Sequence, residues 1–348
     1  MTDPTYARRA AELRARHDAL AAAGTAARAR AQAQALGVSE AEWVAAGCGG
    51  VRAVPLSGKP QAIFRQLGTL GEVMALTRNE WCVHERHGRY EDIQAEGPVG
   101  LVLGPDIDLR VFFAQWRHAW AVEQDGRHSL QFFDAAGQAV HKVYRTEASD
   151  GAAFETLVAR HAGEPYWPDV QAYPAAEPPT PIADAHALRQ AWLAMQDTHE
   201  FVPLLCKFKA ARLDALRAAG ADLAQPVAAD TVERMLQGAA DTALPIMCFV
   251  GNRGMIQIHT GPVANLRRTG PWFNVLDSRF NLHLDTTAID SAWVVAKPTS
   301  DGWVTSLELY AANGELIVQF FGARKPGKPE LAPWRDLLAG MCGQPLAA

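Results

Sequence analysis

The 348-residue sequence predicts an α+β fold made by internal duplication: two similar units, each a large, mainly antiparallel β-sheet flanked by helices. Three observations carry this expectation. Ala-rich helical patterning followed by short strands occupies residues 5–162, and the same order returns after residue 184. The halves also share residues in matching order. The first has LTRN, VH, GPVGLVL, LR, AWAV and SLQFFDAAG, and the second has FVGN, IH, GPWFNVL, LH, AWVV and SLELYAANG. Finally, Gly97-Pro98 and Gly270-Pro271 lie 173 residues apart, as do Trp120 and Trp293.

Residues 5–47 read as helices with a break at Gly24-Thr25, and Ser39 with Glu42 three residues on forms a capping box. From about 51 to 145, VRAVPL, EVMALTRN, WCVHERHG, GPVGLVLG, LRVFFAQW, HAWAVE, HSLQFFDAAG and AVHKVYR read as strands separated by Gly, Asp-Gly and Ala-Gly turns. A helix over 151–162 closes this half. Residues 164–184 contain Pro165, Pro168, Pro174, Pro178, Pro179 and Pro181, which suit a linker and not a hydrogen-bonded element. The expected domains are therefore an N-terminal repeat over 1–163, the linker 164–184, and a C-terminal repeat over 185–348. In the second repeat ALRQAWLAMQ, PLLCKFKAARLDALRAAG, DTVERMLQGA and PWRDLLAG read as helices. PIMCFVGN, GMIQIHTG, ANLRRTG, WFNVLD, FNLHLD, SAWVVAK, VTSLELYAANG and LIVQFFG read as strands.

With 49% hydrophobic and 20% charged residues, the composition is that of a globular protein with a sizeable core. A net charge of −5 and the lack of a basic, aromatic-interleaved stretch argue against broad nucleic-acid binding. The opening MTDPTYARRAAELRARH has no apolar core of a secretory signal, and no apolar run is long enough for a membrane span. Cys48, Cys82, Cys206, Cys248 and Cys342 are scattered without a CxxC pair, so the expectation is reduced cytoplasmic thiols.

Candidate chemistry begins in residues 196–217, QDTHEFVPLLCKFKAARLDALR. Pro203 disfavours helical geometry at Val202 and removes a backbone donor. A helix is expected to end near Gln196, a sharp turn to hold Asp197, Thr198 and His199, and a second helix to start near Pro203. This places an imidazole at a helix corner with Lys207, Lys209 and Arg212 behind it. The arrangement suits a metal bound to an anionic organic cofactor, whereas a lone histidine is ordinarily one satisfied by hydrogen bonds at a helix end. Cys206, seven residues on, lies about 10 Å away along a continuous helix and reads as core packing. Trp43, Trp116, Trp120, Trp293 and Trp334 read as core. His84 and His87 fall on opposite faces of one strand, and His283 stands at the repeat position of Arg110. No Walker loop, GxGxxG, GxSxG or HExxH is present.

DTHEFVPLLCKFKAARLDALR, GNRGMIQIHTGPV, GPWFNVLDSRFNLHLD and VQFFGARKPG, with LTRNEWCVHERHGRYE and DLRVFFAQW, together resemble the haem-binding, haemin-degrading factors of bacterial haem-uptake operons, over nearly the whole chain. The resemblance implies haem (iron protoporphyrin IX) bound in the C-terminal repeat, with His199 as proximal iron ligand. It implies Arg110 on the distal face, and Arg212, Lys297, Gln319, Phe249 and Phe321 as haem contacts. Some family members carry a tyrosine at the position of Phe321, so one hydroxyl contact is absent here. At His84, a second haem site and a structural histidine both stay open. The resemblance further implies a cytoplasmic protein of haem and iron uptake that shields haem and delivers it for iron release. The alternative is a haem-degrading enzyme, opening the porphyrin with dioxygen and an external electron donor, with Arg110 then catalytic. The partners implied are a haem transporter, a haem oxygenase or a reductase.

Overall fold

The computed structural model describes residues 4–24, 28–175, 181–325 and 327–347. They divide into two compact units. The first comprises the chain up to Arg78, His84–Pro174 and Gly251–Gln257, and the second comprises Asn79–Val83, Ala175–Val250 and the chain from Ile258 on.

In the first half of the sequence, helices Pro4–Ala22, Ala29–Ala35 and Glu40–Ala46 precede β1 (Arg52–Pro55), helix Pro60–Phe64, β2 (Gly71–Arg78), β3 (Cys82–Gly88), β4 (Ile93–Gln94), β5 (Val99–Leu103), β6 (Asp108–Phe112), β7 (His118–Gln124), β8 (Arg127–Phe133), β9 (Ala139–Ser149) and helix Gly151–His161. In the second, helices Ala185–Leu193, Phe201–Phe208 and Arg212–Ala219 precede β10 (Ala224–Val227), helix Thr231–Asp241, β11 (Ile246–Gly251), β12 (Met255–Gly261), β13 (Leu266–Thr269), β14 (Trp272–Leu276), β15 (Phe280–Asp285), β16 (Ser291–Thr299), β17 (Gly302–Tyr310), β18 (Leu316–Gly322) and helix Ala332–Ala339.

The duplication extends to strand order and register. The first unit pairs β1-β7-β8-β9-β2 and the second β10-β16-β17-β18-β11, all antiparallel. Across the first, Trp120, Gln131, Lys142 and Leu76 stand in one row. Across the second, the row is Trp293, Glu308, Gln319 and Phe249. Even an irregularity recurs. The register of β8 and β9 shifts between Phe132 and Phe133, leaving Val140 as an extra residue, and that of β17 and β18 shifts between Leu309 and Tyr310, leaving Ile317.

Alternating side chains divide each sheet between two cores. In the second unit Val294, Leu307, Leu309 and Phe320 pack with Met235, Leu236, Trp334 and Leu338 from helices Thr231–Asp241 and Ala332–Ala339. On the opposite face Trp293, Val295 and Tyr310 meet Leu188, Trp192, Phe201, Leu204 and Leu216. The first unit repeats the plan, with Leu130, Phe132 and Val143 beside Phe154 and Leu157, and Trp120, Val122 and Phe133 beside Leu13 and Trp43. The five tryptophans read as core are indeed buried.

The capping box forms: Ser39 Oγ accepts from Glu42 N at 3.2 Å, and Glu42 Oε2 accepts from Ser39 N at 2.8 Å. Thr25, Pro178 and Pro179 lie outside the described residues, and the described part of 164–184 holds no helix or strand. Two expectations fail. The helix expected over 203–220 is two helices, because Lys209 adopts a left-handed conformation (φ 50°) that ends the first of them. That first helix also begins at Phe201, with Pro203 inside its first turn, where a missing backbone donor costs nothing. Cys206, expected in the core, is exposed. Phe201 and Leu204 define the buried face of their helix, and helical periodicity turns Cys206 away from it.

Candidate functional site

The second unit gathers the sequence-derived residues around a buried carboxylate. Glu308 lies two residues before the end of β17 with 0% exposure. Its flanking residues Leu307 and Leu309 enter one core, so alternation sends the carboxylate to the other face, toward the helices before β10. There it accepts five hydrogen bonds. Arg212 donates from Nε to Oε2 at 2.9 Å and from Nη2 to Oε1 at 2.8 Å. Lys297 Nζ and Ser306 Oγ donate to Oε1 at 2.7 and 3.0 Å, and Tyr310 OH donates to Oε2 at 2.5 Å.

These bonds overcome a large desolvation penalty. Burial alone raises a carboxyl pKa, but Arg212 and Lys297 hold Glu308 well below the usual carboxylate range. Burial acts oppositely on Lys297, which is only 3% exposed. Despite Glu308, burial and the Arg212 charge draw its ammonium down to about 8. Burial and the Glu308 charge raise the Tyr310 phenol, so it stays protonated and donating.

Phe201 connects this cluster to the histidine. The Arg212 guanidinium lies 4.9 Å and the Lys297 ammonium 4.7 Å from its ring centroid, and Trp192 packs edge-on at 4.6 Å. Two residues earlier, a short turn over Thr198–Glu200 carries His199. Asp197 Oδ1 accepts from His199 N at 2.8 Å and stands 2.6 Å from His199 Nδ1. The turn is tied to the β16–β17 hairpin, where Ser300 N donates to Gln196 O at 2.8 Å. The His199 side chain is 90% exposed. A carboxylate oxygen can only accept, so Nδ1 is the nitrogen that donates to Asp197, and Nε2 is the nitrogen left for a metal.

An apolar wall completes the arrangement. Phe249 and Phe321 meet with ring centroids 5.0 Å apart at 65°, and both are only half-buried, as is Gln319 between Glu308 and Phe249 in the row. Arg110 is not among these residues. It lies on β6 in the first unit, paired with Asp108. His84 is fully buried, and His283 Nδ1 stands 2.7 Å from Asn274 Oδ1. Among the described residues no group of three or more His, Cys, Asp or Glu side chains is placed to hold a metal ion.

The first unit fills the same row differently. Gln131 stands where the second unit has Glu308, Lys142 where it has Gln319, Leu76 where it has Phe249, and Phe133 where it has Tyr310. Glu40, the first residue of its helix as Arg212 is of its own, pairs with Lys142, and both are buried. Burial would raise the Glu40 carboxyl, but Lys142 lowers it. Burial would lower Lys142, but Glu40 raises it. The matching row of the first unit thus carries an internal ion pair.

Of the residues described at this candidate site, the sequence with its family resemblance named His199, Arg212, Lys297, Gln319, Phe249 and Phe321, and did not name Glu308, Tyr310, Phe201 or the contact of Asp197 with the imidazole. An Asp two residues before a His in a turn signals a side chain able to fix the imidazole. In SLELY, Glu308 reads as an ordinary solvent-facing residue, and nothing local marks it as buried.

A family model described as the haemin-degrading HemS.ChuX domain matches twice, over residues 37–161 and 209–341. The hemin transport protein HemS of Yersinia enterocolitica is 42% identical over 300 residues, covering 84% of this chain and 87% of its own. HmuS, the hemin transport protein of Yersinia pestis, is 41% identical over 320 residues, with coverages of 90% and 92%. The crystal structure of holo-PhuS, a heme-binding protein from Pseudomonas aeruginosa, matches with a TM-score of 0.90 at 47% identity, covering 95% of this chain and 99% of that one. A structure of ChuS, described as an E. coli heme oxygenase, matches with a TM-score of 0.85 at 35% identity, covering 97% and 99%. Two model matches along one chain, one on each repeat, agree with the shared strand register, and this chain belongs to the HemS family.

Proposed function

We propose that the protein binds haem in its second unit, shields it in the cytoplasm and delivers it for iron release. The observation that carries this reading is His199, exposed, with Nδ1 held by Asp197 and Nε2 left for a metal, on the same turn as the Phe201 ring beneath two cations. Those residues fit haem, which needs an axial imidazole, cations for its propionates and a flat apolar wall. His199 would supply the iron ligand, Arg212 and Lys297 the charge, and Gln319, Phe249 and Phe321 polar and apolar contacts to the ring. Haem-binding and hemin-transport relatives support the same ligand. Residues 1–163 and 185–348 would then be the repeats and 164–184 their connection, with the haem site in the second. A haem transporter upstream and an oxygenase or reductase downstream are the partners this role requires.

His199→Ala is expected to shift or abolish the ferric-haem Soret band and to weaken haem binding, while affinity for iron-free protoporphyrin IX stays near that of the parent. An unchanged haem spectrum and affinity would sink the assignment. Arg110 enters the proposal on the family resemblance, as the residue acting on the ligand opposite the histidine. Arg110→Ala should change that axial ligand spectroscopically more than it changes affinity, and identical spectra would make Arg110 structural.

A second reading is that the protein degrades haem, favoured by the heme oxygenase description of the ChuS relative. Bound haem would supply the redox chemistry, and electrons would come from a separate donor. Aerobic and anaerobic turnover with a reductase, with catalase present, separates the readings. A defined tetrapyrrole product establishes degradation, and bleaching abolished by catalase leaves the carrier.

A further inference from the structure

Arg212 and Lys297 do not face the ligand side as two independent cations. Both are bound to the same carboxylate, and their charges sum with that of Glu308 to a single positive unit in a buried site. We propose that Glu308 is an internal counter-ion and positioning residue which fixes Arg212 and Lys297 into a cradle of one surplus positive charge, selecting a ligand that brings one carboxylate into it. This rests on the haem-binding reading and adds the charge class that the site recognises.

Geometry supports the role. Glu308 engages Nε and Nη2 of Arg212, the paired edge that a carboxylate grips in a bidentate fork, and so sets the guanidinium plane. Nη1 remains on the opposite edge. Tyr310 OH accepts from Arg212 Nε at 3.0 Å while donating to Glu308, which locks the plane from a second direction. Lys297 spends one of its three donors on Glu308. The groups that face Lys297 are Glu308 from β17, itself bonded by Tyr310, Arg212 from helix Arg212–Ala219, and the Phe201 ring from helix Phe201–Phe208. A second, unpaired carboxylate in such surroundings finds exactly one uncompensated charge only while Lys297 is protonated. In the first unit Gln131 stands at the Glu308 position, and the helix contributes Glu40, paired with Lys142, instead of a cation.

The test compares haem with its dimethyl ester, whose propionates carry no charge, across pH 6–10. The parent should prefer haem over the diester by about 10- to 100-fold, the worth of one charge-assisted hydrogen bond. The sign follows from Lys297: the preference is full below about pH 8, where its ammonium is charged, and declines above that. In Glu308→Gln, Lys297 loses the counter-ion that holds its ammonium beside Arg212, and Arg212 remains as one uncompensated charge, so the preference should no longer decline near pH 8. A Glu308→Gln protein that keeps the parental pH step overturns the proposal. If that variant does not fold, Lys297→Met with Glu308→Gln leaves Arg212 alone without an unpaired buried ammonium. A preference that is flat across pH 6–10 then supports the proposal, and the parental pH step overturns it. A parent that binds both compounds equally, with a normal Soret band, overturns the cradle and leaves haem binding standing. A parent that binds neither overturns both.

Discussion

At the scale of single residues, the site depends on side chains that orient other side chains. Asp197 holds the His199 ring in one tautomer, and the bonds from His199 in turn lower the Asp197 carboxyl below its ordinary range. Outer partners of this kind typically contribute about 10- to 100-fold to metal affinity. Asp197→Ala is therefore expected to weaken haem binding by roughly that factor, while iron-free protoporphyrin IX binds as before. Equal losses for both compounds would mean that the turn had collapsed. His199 stood out in the sequence as a lone histidine at a turn ahead of several cations, but only the family resemblance gave it the role of an iron ligand. Glu308 did not stand out, because an acidic residue between two leucines in a strand ordinarily faces water. Its burial is created by helices more than eighty residues away in the chain, and no local pattern encodes that.

At the scale of elements, strands were readable from alternation and turn residues, whereas breaks within helices were not. β4 and β10 are too short to announce themselves, and helix Pro60–Phe64 carries little periodic signal. The stretch after Pro203 has continuous helical composition, yet it divides at Lys209, where Lys209 N donates to Cys206 O and Ala210 N to Leu205 O. This break allows a new helix to begin at Arg212, whose side chain then reaches Glu308. A left-handed conformation costs a lysine about 1 kcal/mol that glycine does not incur. Lys209→Gly is accordingly expected to stabilise the protein by roughly 0.5–1 kcal/mol in urea unfolding. Destabilisation would show that the Lys209 side chain contributes more than its backbone costs.

For the whole molecule, duplication produced two sheets with one register and two different uses. The second unit places an internal carboxylate in the sheet and a cation on the helix. The first places a cation in the sheet and a carboxylate on the helix, and the two form a buried ion pair. On the proposed reading, one haem per chain is expected. A titration followed at the Soret band should end at one equivalent, and a second saturable equivalent with a histidine-ligated spectrum would reassign the first unit as a site. The duplication itself was legible, since residues repeat in order and at constant spacing. The opposite charge arrangements were not, because they become comparable only once strand register sets Gln131 against Glu308 and Lys142 against Gln319.

The extra residue in β9 and its counterpart in β18 have a consequence for how this family can vary. A strand has two sides and a repeat of two, so an extra residue left unabsorbed would exchange the inside and the outside of everything beyond it. Here the bulge absorbs it: Ala139 and His141 keep the facing of their partners Phe133 and Phe132, as Leu316 and Val318 keep that of Tyr310 and Leu309. Val140 and Ile317, each β-branched and each buried, are thus residues added without cost to the alternation. Deleting either would restore regular pairing and leave both arms of its hairpin facing as before, at the expense of one buried side chain and the local bend.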